Sequence, residues 1–328
     1  MNRRQPQWFL GAYAGTASLA SFSIQDAETF YAEVVGLPSL AGLELPIHAD
    51  AKADDPWQHI HLLPRDLDYI LTPLPAVMQS LAKNPQFGLA STDAAGRRAA
   101  LQLMDRVRIC VQQLEDHCGR KAVRAVQLHS APTLQKPADD AGAKALTESL
   151  EVLCEKDWSA AELWLEHCDT FLPNQPSAKG FLDLQQEIDV LQKFPIGLNI
   201  NWGRSVLEGR SVATALLHIQ QAQQAGVLRA LFFSGVALDD PVFGSWLDNH
   251  SPMFSLQDVP WQARGSLLTE QAVEQTLQCI HTEHVQLGLK IQPGPATLEL
   301  SQRVDCLRQH LLELSRVARK VSSFLPDQ

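Results

Sequence analysis

Eight short apolar segments recur along the chain, most of them ending in a polar residue or a turn. They are WFLGAY (8–13), GLELPIH (42–48), LDYILTP (67–73), VRAVQLHS (123–130), ELWLEHCD (162–169), IGLNINW (196–202), LRALFFSG (228–235) and LGLKIQP (287–293). Helix-like stretches separate nearly all of them, the pattern of parallel strands joined by crossover helices. Eight such units in 328 residues predict an α/β fold, one closed (β/α)8 TIM barrel in a single domain spanning 1–328. Such barrels carry their chemistry at the C-terminal ends of the strands. Those ends hold Glu44, His129, Glu166, Asp169, Asn199, Asn201 and Lys290.

Between the strands, helices are expected over Gln25–Leu37, Met78–Lys83, Thr92–His117, Ala141–Cys154, Ala178–Lys193, Ser211–Ala225, Thr269–His284 and Ala296–Ser315. Gly119 is placed to end the long fourth-strand approach helix, whose Leu101, Met104, Val107, Val111 and Leu114 fall three or four apart. Strand seven opens into an irregular stretch from Val236 to Leu267 that carries Trp246, Met253, Phe254 and Trp261. Loops longer than about 15 residues in a compact domain are usually functional or disordered, and these large side chains point to an ordered lid or a subunit contact. A homo-oligomer is compatible with that reading.

A net charge of −10 argues against nucleic acid as a partner, since phosphate contacts need clustered Lys and Arg. No apolar run approaches the roughly 20 residues of a membrane span. The start, MNRRQPQWFLGAYAG, passes from a basic pair into an apolar stretch too short for a secretory core, so the cytoplasm is the expected location. Cys110, Cys118, Cys154, Cys168, Cys279 and Cys306 form no C-x-x-C pair and read as free thiols.

Side chains alternate along a strand, so every second residue of a barrel strand faces the lumen. One phase reads Gln127 and His129, Trp164 and Glu166, Gly197, Asn199 and Asn201, Gly288, Lys290 and Gln292. The other reads Leu128, Leu163 and Leu165, Leu198 and Ile200, Leu289 and Ile291, suited to packing under outer helices. Each polar position has a structural alternative. Glu166 or Glu44 could be half of a buried pair with Lys290, His129 could cap carbonyls, and Asn199 and Asn201 could satisfy one another. His59, His61, His281 and His284 read as surface residues. The pair His281 and His284 has a metal-binding spacing but no further ligands nearby in sequence.

The pieces GLELP (42–46), QLHSAP (127–132), LWLEHCDT (163–170) and GLNINWGRS (197–205) resemble, in their order along the chain, the xylose isomerase-like superfamily of TIM barrels. That superfamily includes sugar isomerases, sugar epimerases and endonuclease IV-type enzymes, and the likeness is closest to an uncharacterised bacterial branch. The resemblance implies a divalent metal held by carboxylates ending strands five and six, a histidine ending strand seven and a glutamate on strand eight. Glu166 matches the first position. The others carry Asn201, Ser234, and Lys290 or Gln292, so three of four ligands are absent and no metal site is assigned.

The resulting expectation is a carbohydrate-active enzyme that moves a proton beside a carbonyl. Glu166 would be the base, His129 a second acid/base and Lys290 the positive charge facing a developing enediolate. Glu44, Asn199, Asn201, Trp202 and Arg204 would bind a sugar or sugar derivative, Arg204 through its fork. Retaining glycoside hydrolysis needs carboxylates about 5 Å apart, which Glu44 and Glu166 on distant strands do not promise. A Schiff-base aldolase through Lys290, and a barrel that binds a sugar or protein without catalysis, complete the alternatives.

Overall fold

The computed structural model describes residues 6–16, 22–49, 60–136, 139–255, 258–280 and 284–324. His59 and His281, and the Asp55-Pro56-Trp57 stretch, lie outside the described residues. Eight parallel strands carry the fold: β1 (Trp8–Leu10), β2 (Leu40–Pro46), β3 (Asp68–Thr72), β4 (Val123–Leu128), β5 (Glu162–His167), β6 (Gly197–Asn201), β7 (Leu228–Phe233) and β8 (Gln286–Leu289). They run in sequence order around a closed barrel, so the alternation in the sequence does specify a (β/α)8 TIM barrel.

The helices are α1 (Ala12–Thr16), α2 (Ile24–Val35), α3 (Leu74–Lys83), α4 (Ala94–Cys118), α5 (Asp140–Cys154), α6 (Leu184–Leu191), α7 (Trp202–Gly209), α8 (Val212–Gln224), α9 (Glu270–Gln278) and α10 (Leu300–Phe324). Their limits follow local chemistry. Ser23 and Asp26 form a reciprocal capping box that starts α2. The Asp93 carboxylate accepts the Gly96 N–H at the start of α4, and Gly119, left-handed at φ 68°, ends it. None of the ten helices is long and apolar enough among the described residues to cross a membrane. All six cysteines are free thiols.

By Cα packing the chain groups into two compact units. The first comprises Met1–Leu43, Asn201–Gln221 and Ala230–Gln328. In it β1 pairs with β8 and with the first half of β2, Phe9 lying beside Gly288 and Gly42. β7 pairs with β8. A side chain on Gly288 would collide with the Phe232 ring at 2.4 Å, so the bulk of this level comes from Phe232. Trp8 is fully buried and donates from its indole to Ser315 Oγ of α10 at 2.9 Å.

The excursion after β7 belongs to this unit, and its described residues are tied together by hydrogen bonds. Asp240 accepts the N–H groups of Val242 and Phe243 on one oxygen and of Gly265 on the other. Ala237, Phe243 and Ala263 form a small buried cluster inside it. Gly235 and Ser251 exchange both backbone hydrogen bonds, and the Met253 N–H donates to His310 Nε2 of α10 at 3.0 Å. Met253 and Trp261 are buried, and Arg210 stacks over Trp246.

The second unit comprises Glu44–Ile200 and Ala222–Arg229. Its spine is the ladder β3–β4–β5–β6 in parallel register. The leucines of the outward phase, Leu128, Leu165 and Leu198, are wholly buried, as expected where helices cover a sheet. Several helical limits differ from the sequence expectation: α3 starts at Leu74 and not at Met78, and in the first unit α9 ends at Gln278 and not at His284, while α10 runs over Leu300–Phe324 and not Ala296–Ser315. The helix after β5 starts at Leu184, capped by Asp183, and not at Ala178. Gly180 turns left-handed there, and the Asp169 carboxylate captures the N–H groups of Ala178 and Lys179. The short α7, unforeseen from sequence, begins directly at the end of β6.

Candidate functional site

In the second unit, register sets the polar residues in levels. Leu128 pairs with Leu165, and Glu166 pairs with Asn199. His129, one residue beyond β4, therefore reaches Glu166, and its Nε2 stands 3.0 Å from Glu166 Oε2 with both side chains fully buried. A carboxylate and an imidazole so placed can exchange a proton and share one between them. Asn199 and Gln127 are also fully buried. Glu44, in the second half of β2, is fully buried as well. Trp164 is committed otherwise: its indole donates to Glu162 Oε2 at 2.8 Å, and its ring edge would lie 3.1 Å from a Cβ on Gly197.

The opposite face of β5 holds a second buried network. His167 Nδ1 lies 2.7 Å from Glu187 Oε2 of α6, and Ser130 donates to the other Glu187 oxygen. All three are buried. Asp169, a strand-end candidate by position, anchors the loop before α6 through the backbone hydrogen bonds described above.

In the first unit, Lys290 follows β8 and is wholly buried. Its ammonium lies 5.8 Å from the Tyr13 ring centroid and 5.7 Å from that of Phe232, within cation–π range. Asn201 caps α7, its Oδ1 accepting the Arg204 N–H at 3.3 Å and the Ser234 hydroxyl at 2.8 Å. Trp202 is fully buried and donates to Thr276 Oγ1 of α9 at 3.0 Å, which fixes its ring in helix packing. Arg204, nearly buried, donates through Nε to Asp248 Oδ2 at 3.2 Å.

Asp248 and His250 were not marked by sequence reasoning. His250 Nδ1 lies 3.6 Å from Asp248 Oδ1, and the His250 carbonyl accepts the Gln292 N–H just past β8. Both Trp246 and His250 hold a left-handed φ of 54°, a conformation that costs free energy in a non-glycine residue and gathers at functional sites. Nothing in the local sequence announces it, because the excursion's path is set by distant partners.

A family model described as a domain of unknown function (DUF4862) matches residues 9–306. An uncharacterized protein of Salmonella typhimurium (strain LT2) is 31% identical over 316 residues, covering 95% of this chain and 98% of its own. Among solved structures, D-psicose 3-epimerase from Clostridium cellulolyticum H10, solved with D-tagatose, superimposes with a TM-score of 0.51 at 12% identity, covering 98% of each chain. An AP endonuclease, family 2, from Brucella melitensis gives a TM-score of 0.54 at 12% identity, covering 89% of this chain and 95% of its own. At such identities the likeness speaks for the fold alone, a (β/α)8 TIM barrel.

Proposed function

The chain belongs to the family described as a domain of unknown function (DUF4862), and we propose that it is a carbohydrate-active enzyme of the sugar isomerase or epimerase kind. The reaction is proton transfer at a carbon beside a carbonyl. The observation that carries this reading is the fully buried pair of Glu166 and His129 at 3.0 Å, which lies at the strand ends where this fold holds its chemistry. Glu166 removes the proton, and His129 returns or relays it. Within the second unit, Glu44 and Asn199 contribute polar contacts to a small sugar or sugar derivative.

The metal implied by the resemblance does not fit the donors at its four positions. Glu166 is the one carboxylate. Asn201 already spends its oxygen on Arg204 and Ser234, the Ser234 hydroxyl is the donor in that bond, and Lys290 is itself a cation. Hard cations depend on the ligand charge count, so the reaction is assigned to the side chains.

Deuterium wash-in tests the proposal. Ketohexoses incubated with the protein in D₂O should gain deuterium at a carbon next to the carbonyl, followed by NMR. Glu166→Gln should lower that rate by about 10²–10⁴-fold, the usual contribution of a general base, with its circular dichroism unchanged. Wild-type exchange in the Glu166→Gln variant would sink the assignment.

A further inference from the structure

Three polar side chains of the second unit make no hydrogen bond among the described residues although each is wholly buried. They are Thr72 at the end of β3, Gln127 in β4 and Asn199 in β6, and both amide atoms of Gln127 and Asn199 are involved. Buried amides are nearly always paired, with protein or with something bound, because an unmet donor or acceptor keeps its full desolvation cost.

Strand register places these groups relative to the reactive pair. Asn199 is the register partner of Glu166. Gln127 is the partner of Trp164, two residues nearer the N-terminal strand ends than Glu166, a step of about 6.6 Å at the usual rise. Thr72 follows Leu71 just as Gln127 follows Val126, and those two residues are partners. The wall therefore offers one hydroxyl and two amides over two successive levels, and none of its side chains is a cation.

We infer that Thr72, Gln127 and Asn199 form a subsite for the hydroxyl groups of a neutral, open-chain polyhydroxy compound. Amides and hydroxyls both donate and accept, as neighbouring sugar hydroxyls do. A phosphate or carboxylate only accepts, and would leave the amide oxygens unpaired. Two levels separated along the strands suit an extended chain, which can turn successive hydroxyls to each, whereas a ring holds its hydroxyls in fixed directions. The assignment of the reacting end to Glu166 and His129 rests on the proposed function; the wall itself does not.

D-sorbitol is the probe, because it carries the hydroxyls of an open-chain hexose and no carbonyl, so its binding needs no turnover. Calorimetry at millimolar concentration should show sorbitol binding wild-type protein, with myo-inositol (as many hydroxyls, in a ring) and sorbitol 6-phosphate at least tenfold weaker. Gln127→Leu and Asn199→Leu should each weaken sorbitol about tenfold or more, the cost of leaving substrate groups unpaired. Their ligand-free melting temperatures should hold or rise, since an unpartnered amide is replaced by an apolar group of similar size. Equal sorbitol binding by wild type and both variants overturns the inference, as does absence of binding to wild type. So does a Gln127→Leu variant that melts lower with sorbitol affinity unchanged, which would mean an amide serving the fold. If the leucine variants fail to fold, the preference of wild type for sorbitol over myo-inositol decides. Wall-dependent sorbitol binding with no deuterium exchange into any sugar supports the subsite and removes the proposed reaction.

Discussion

His310 shows how one buried side chain ties chain segments together. Its Nε2 accepts the Met253 N–H from the excursion after β7, and its Nδ1 donates to the Cys306 carbonyl. Both bonds require the neutral ring with the proton on Nδ1. Burial pulls its pKa down to about 4, with the Cys306 carbonyl and Glu313 opposing. Burial likewise pushes the Cys306 thiol well above its ordinary value, so that neighbour is uncharged too. The linkage has a definite sign. The unfolded chain takes up a proton near pH 6.5 and the folded one only near 4, so the stability from this group is full above about pH 6.5 and is lost as pH falls towards 4. Urea unfolding at pH 7 and 4.5 should show wild type losing about 2–3 kcal/mol more than His310→Gln. Equal losses in the two proteins would show that His310 titrates normally.

Elements differ in how openly the sequence declares them. Strands β4, β5 and β6 are legible because a lumen-facing polar phase and a helix-facing leucine phase alternate, which puts His129 and Glu166 in the same phase; that they stand side by side follows from the strand register and not from the alternation. The helix α7 is hidden, since Trp202 to Gly209 starts without a break at the end of β6 and its cap, Asn201, is itself a strand residue. The start of α6 is hidden for another reason, the capture of backbone donors by Asp169 from nine or ten residues away. Asp248 and His250 were illegible because their positions depend on the folding of the whole excursion. That dependence makes Asp240 a sensitive point. Its nearly buried carboxylate satisfies three backbone donors, and Asp240→Ala leaves them unmet at about 1–3 kcal/mol. Hydrogen exchange over 238–266 should quicken in this variant while β4 to β6 stay protected. An unchanged exchange pattern would mean that Phe243 and Ala263 hold the segment without it.

At the scale of the molecule, one fold serves sugars in one structural relative and carries the name AP endonuclease in another, so architecture alone does not choose between them. Charge does. The chain carries 27 Lys and Arg against 37 Asp and Glu, a net −10. Several of the basic groups are spent on acidic partners: Arg120 and Arg124 on Asp68, Lys156 on Asp105, Arg316 on Glu270 and Glu313, Lys320 on Glu274. Arg303 is fully buried and donates to the carbonyls of Gly15, Pro293, Ala296 and Leu298. A duplex presents one negative charge about every 1.7 Å, and binding it depends on clustered cations that release its counterions. This balance gives the expectation that a duplex is not bound. A labelled duplex containing an abasic site should therefore neither shift in a gel nor be cleaved at about 0.15 M salt, and lowering the salt should not produce the steep gain in affinity that phosphate contacts give. Salt-dependent binding of the abasic duplex with strand cleavage, lost in Glu166→Gln, would move the same buried pair from sugar chemistry to the phosphodiester backbone.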